Sequence, residues 1–77
     1  MGISRKDALR RLEGLAPRVV EHLGYLAEEP DSQDVPHWKH EIRNWVAQME
    51  EVLHAVGKKT EARWRGQINA WLARLEE

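Results

Sequence analysis

Four histidines, at positions 22, 37, 40 and 54, are the first side chains to weigh for chemistry. In "HWKHE", His37, His40 and Glu41 stand at i, i+3 and i+4, close enough to share one face of a helix. Counted from the polar stretch near Asp31, His22 and His40 are equally distant along the chain, so two antiparallel helices would bring them level. His22, His37, His40 and Glu41 together would be donors suited to zinc or nickel. The plainer reading is a group of solvated histidines at a helix end, and no cofactor is assigned. The His-Glu-x-x-His spacing of metalloproteases is absent. Neither Ser4 nor Ser32 has an obvious base and orienting partner, and no glycine-rich phosphate loop exists. No catalytic residue is assigned, and the chain is read as non-enzymatic.

Charge is the second candidate chemistry. The whole chain carries a formal −1, which argues against an all-round nucleic-acid coat. Its placement is uneven. Residues 1–18 hold five basic and two acidic side chains, residues 19–34 five acidic and none basic, and residues 52–65 four basic and one acidic. If the first helix and the last interhelical turn share one end, Arg5, Lys6, Arg10 and Arg11 join Lys58, Lys59, Arg63 and Arg65 in a basic pole. The opposite end is acidic. Such a pole suits phosphate or an acidic protein partner, against the alternative of ordinary surface charge.

The elements that position these groups follow from the apolar period. Leu9, Leu12, Ala16, Val19, Leu23 and Leu26 are spaced 3-4-3-4-3, a helical seam. It predicts a first helix over about 4–27, capped by Ser4 and kinked at Pro17, since the register passes that proline without a slip. "EEPDSQDVP" predicts a loop over 28–36. Asp34 then caps a second helix over about 35–56, carrying Val35, Trp38, Ile42, Trp45, Met49, Val52 and Val56 and ended by Gly57. Thr60 caps a third over about 60–76, with Trp64, Ile68, Trp71 and Leu75. Short connections favour antiparallel neighbours, so the fold predicted is an all-α, up-down-up three-helix bundle of one domain, residues 1–77.

One phrase is written twice: "WKHEIRNWVAQMEE" from Trp38 and "WRGQINAWLARLEE" from Trp64. Both read W-x-x-x-I-x-x-W-[VL]-A-x-[ML]-E-E. A core without phenylalanine needs bulk, and indole supplies it, so the four tryptophans are read as core or core-edge residues. Trp45 and Trp71 are expected at one height, Trp64 opposite Leu53, and Trp38 against Leu23 and Leu26. A ligand-binding aromatic face is the alternative.

The segment from Val19 to Leu53, "VVEHLGYLAEEPDSQDVPHWKHEIRNWVAQMEEVL", resembles the middle of the bacterial family catalogued as domain of unknown function twenty-nine. The shared positions are His22-Leu23, Pro30, Trp38, Ile42 and Arg43. The resemblance implies an all-helical bacterial protein and brings no activity with it.

The absence of cysteine removes disulfides and thiolate chemistry and suits the cytoplasm. No apolar run approaches a membrane span, and the N-terminus lacks a signal peptide's apolar region, so a cytoplasmic protein without membrane contact is expected. The function expected is a small protein-interaction module, self-associating or binding a protein partner. Its contacts would be the residual apolar edges Leu15, Val20 and Leu53 and the basic pole. A nucleic-acid-binding regulator using that pole is the first alternative, and a His/Glu metal-binding protein the second.

Overall fold

A computed structural model describes residues 2–76. Three helices follow in order: α1 (Arg5–Glu28), α2 (Val35–Val52) and α3 (Lys58–Arg74). A short 3₁₀ turn, Leu53–Ala55, tightens the end of α2. The arrangement is the all-α three-helix bundle that the apolar period predicts. Glu77, the last residue of the repeated phrase, lies outside the described residues.

Each helix begins and ends for a local reason. Ser4 caps α1, its hydroxyl accepting the Asp7 N–H at 3.1 Å. The helix passes through Pro17 as one 24-residue element. Two expected caps do not form. The Asp34 side chain makes no capping bond to α2; the Ser32 hydroxyl instead accepts the Asp34 N–H at 3.1 Å, which tightens the loop. Pro36 occupies the first turn of α2, where a missing N–H is harmless. Thr60 is not the start of α3. Gly57 has φ +88°, a conformation that glycine adopts without strain, and the helix opens directly after it at Lys58. The Gly57 carbonyl accepts the Glu61 N–H at 2.8 Å. At the far end α3 stops at Arg74, two residues short of the expected boundary.

The core is formed by Ala8, Leu12, Val19 and Leu23 of α1 against Ile42, Val46, Met49 and Val52 of α2. Leu53 and Val56 from the turn and Ile68, Trp71 and Leu75 from the last helix complete it. Of the expected α2 seam, Ile42, Met49, Val52 and Val56 are buried, while Val46 takes the inward place expected of Trp45 and Leu53 joins the core. Ile42, Val46, Met49 and Leu53, spaced 4-3-4, face inward, while Trp45 is half-buried at the margin. Leu53, expected as a free apolar edge for a partner, is thus only 1 % exposed, because it continues the inward row.

The repeated phrase has unequal fates. Ile42, Ile68 and Met49 are fully buried, and Leu75 nearly so. At the second tryptophan the copies diverge: Trp71 is buried beside a half-buried Leu72, whereas Trp45 is half-buried beside a buried Val46. Trp38 and Trp64 are half-buried in both copies. Packing accounts for three of the four indoles, since Trp45, Trp64 and Trp71 belong to or lie against the core. Trp38 is the exception; its ring pairs with Tyr25, centroids 5.4 Å apart.

The backbones of α1 and α2 run close together, whereas α1 and α3 approach in fewer places. Trp64 and Trp71 line the groove left between α1 and α3, with Ala16 and Val20 on its α1 side.

Replacing each tryptophan separates core from margin. Trp71→Ala should cost about 3–5 kcal/mol, enough to unfold most of so small a domain. Trp38→Ala, which breaks one ring pair and uncovers a half-buried position outside the core, should cost clearly less than Trp71→Ala. Thermal and urea melts followed by circular dichroism would check both outcomes.

Candidate functional site

Three candidate regions follow from the fold: the histidine cluster between α1 and α2, the basic end, and the open seam between α1 and α3.

In the first, Glu41 of α2 bridges two histidines. Its Oε1 lies 2.5 Å from His37 Nε2, one turn earlier on the same helix, and its Oε2 lies 3.4 Å from His22 Nε2 on α1. The other His22 nitrogen, Nδ1, is 3.0 Å from the Arg18 carbonyl. A carbonyl can only accept, so Nδ1 carries the hydrogen in that bond, and Nε2 complements Glu41 when it too is protonated. His40, expected in the same set, is exposed and makes no ion pair among the described residues. Among the described residues no group of three or more histidine, aspartate and glutamate side chains is arranged to hold a metal. The cluster joins two helices by a bridging carboxylate.

Aromatic rings continue this seam. His22 meets Trp45 edge-on at 4.7 Å and Tyr25 at 5.0 Å, and Tyr25 meets Trp38. Sequence reasoning overlooked Tyr25, although it lies three residues beyond His22 and thus on the same face. Its hydroxyl donates to Glu21 Oε1 at 2.8 Å. That hydrogen bond, with the nearby charges of Glu21 and Glu28, raises the tyrosine above its ordinary value of 10.0.

The two serines are occupied structurally, Ser4 as a helix cap and Ser32 within the loop. No side-chain nitrogen or oxygen among the described residues is buried without a partner. Nothing polar is left aimed into the core.

At the basic end, Arg5, Lys6, Arg10 and Arg11 on α1 and Lys58 and Lys59 on α3 are exposed and make no ion pair among the described residues. Arg5, Lys6 and Arg10 surround a shallow hollow with Leu9 and Glu13. Lys58 and Lys59 belong to the first turn of α3, whose partial positive charge adds to theirs. Two expected members leave the pole. Arg65 is held by Glu50 of α2 at 2.7 Å, and Arg63 lies along the α1–α3 seam.

That seam is a groove of about 310 Å³ lined by Ala16, Val20, Arg63, Trp64, Gln67 and Trp71. Val20, with 56 % of its surface open, is the one large apolar side chain exposed among the described residues. Leu15, proposed with it as a contact, is half-buried against the core. Of the three apolar contact residues read from the sequence, Val20 alone is presented to solvent.

No protein-family model matches this chain, no curated protein matches it, and no solved structure matches it. No helix among the described residues is long and apolar enough to cross a membrane.

Because Tyr25 is the single tyrosine, its titration tests the hydrogen bond to Glu21 one turn earlier on α1. Absorbance of the folded chain should show a midpoint above 10.0, and Glu21→Gln should move it down. The sign for stability follows from linkage. A raised folded value favours the neutral hydroxyl, so the contribution is complete below the unfolded value and is lost as pH rises through the folded one. A midpoint in Glu21→Gln equal to that of the parent chain would remove the hydrogen bond as the cause.

Proposed function

We propose that this chain is a small non-enzymatic interaction module, which engages a protein partner through the α1–α3 groove. The observation that carries the reading is the exposed Val20 beside the indoles of Trp64 and Trp71. A large aliphatic side chain open to water next to an aromatic-floored hollow is an anchor and a pocket of the kind that dominates binding energy at protein interfaces. Arg63 on the rim supplies a charged group suited to fixing orientation. The likeness of Val19 to Leu53 to a helical bacterial family adds a proposed bacterial origin and no activity.

Nucleic-acid binding at the basic end is the second reading. It is supported by the exposed Arg5, Lys6, Arg10, Arg11, Lys58 and Lys59, which share one end and have no carboxylate partner among the described residues. Neutralising phosphates with such a set would make binding fall steeply with salt. The His22, His37 and Glu41 cluster adds no third reading of comparable weight, because its groups satisfy one another.

Tagged chain retrieved from host lysate, split into nuclease-treated and untreated halves, separates the two. The module reading expects a bound protein that survives nuclease and is released by Val20→Glu, with helicity by circular dichroism unchanged. Loss of all bound material on nuclease treatment, with retention unaffected by Val20→Glu, would transfer the function to the basic end.

A further inference from the structure

A second hollow lies at the end of the bundle opposite the basic residues, apart from the α1–α3 groove. It holds about 340 Å³ where the last turns of α1 and α3 meet the start of α2. Leu23 and Leu26 of α1, with Ala27, Pro30 and Val35, give it apolar walls, and Lys39 of α2 and Arg74 of α3 are the two charged residues of its lining. We propose that this hollow binds a small amphiphilic monocarboxylate, with the apolar tail against the leucines and the carboxylate between Lys39 and Arg74.

Size and make-up fit such a ligand. Small-molecule sites are clefts of about 300–1,000 Å³, mostly apolar, with a few polar groups that fix orientation. Leu23 belongs to the core and Leu26 packs against it, so one wall is part of the rigid body of the bundle. Val35 is half-buried outside that core, which leaves apolar surface for a ligand to cover.

The cations supply the choice of head group. They reach the hollow from different helices, and neither makes an ion pair among the described residues. Lys39 has no carboxylate three or four residues away on α2, so its own helix offers it no partner. Its half-burial fits an aliphatic stem lying along the apolar wall. A carboxylate received here meets a guanidinium able to bind both its oxygens and an ammonium acting as a point charge.

The surrounding acids limit how much charge is accepted. Glu28, Glu29, Asp31 and Asp34 are exposed, and each adjoins a lining residue in sequence without lining the hollow itself. Their field opposes the approach of anions from a distance, so affinity comes from contact inside. The more negative charge a ligand carries, the more that field costs it. A monocarboxylate is therefore preferred over a phosphate, and this end is unlike the basic end in what it takes.

Amide NMR titration of the full chain with octanoate tests the proposal. Saturable shifts are expected at Ala27, Val35, Lys39 and Arg74, with a Kd of about 1 mM for a ligand of about ten non-hydrogen atoms. Lys39→Gln and Arg74→Gln should each raise that Kd about fivefold or more with helicity retained, and Lys39→Arg should keep most of the affinity. Octanol, which has the same tail without the charge, should bind at least about fivefold more weakly, and octyl phosphate no more tightly than octanoate. Octanol binding as tightly as octanoate, or octyl phosphate binding more tightly than both, overturns the proposal. So do shifts centred on Val20 and Trp64, a Kd unchanged in both glutamine variants, or no shifts up to about 20 mM octanoate.

Discussion

Burial of the row Ile42, Val46 and Met49 of α2, continued by Leu53 of the 3₁₀ turn, is the interaction on which the remaining structure depends. These four side chains, none of them aromatic, let α2 lie close along α1. Close approach brings Glu41 within reach of His22 and places Trp45 edge-on to the same imidazole. It also confines polar groups to the rim, since no buried polar or charged residue is present among the described ones. The polar links at that rim join half-buried or exposed groups, where ion pairs contribute little to stability. The apolar row supplies the adhesion, and the rim sets orientation.

The other seam is built differently. Trp64 and Trp71 line the groove between α3 and α1, beside Ala16 and Val20. The same indoles that give a phenylalanine-free core its volume thus border a groove on its outer side. One residue choice thus serves stability and creates an accessible surface. The asymmetry between seams explains why α1 has one side occupied by the histidine and aromatic cluster and another side, at Val20, open to solvent.

Charge adds direction to this body. The N-terminal ends of α1 and α3 carry Arg5, Lys6, Lys58 and Lys59, where the helix dipoles reinforce positive charge and slightly oppose folding. The connection between α1 and α2 holds Glu29, Asp31 and Asp34 at the other end. Local stability does not call for this distribution. It makes the two ends of the bundle electrostatically unlike, which biases how any charged partner approaches.

Much of the architecture was legible in order of residues alone. Helical spacing, Ser4 at a start, Pro36 in a first turn and the polar loop are local signals, each acting over a few residues, and they survive in the structure. The period also identified Ile42, Ile68 and Leu75 as interior. It placed Met49, Val52 and Val56 inside as well, but could not decide between Trp45 and Val46, which are 100° apart on a helix and both apolar. Rotation of α2 about its axis settled that, burying Leu53 and leaving Trp45 at the margin. Small Ala8 in the core and the ring pair of Tyr25 with Trp38 were hidden for a related reason: each depends on what a neighbouring helix presents. The groove, the Glu41 bridge and the separation of Arg63 from the basic end are relations between helices. They exist only once the distance and rotation between distant stretches of chain have been set by packing.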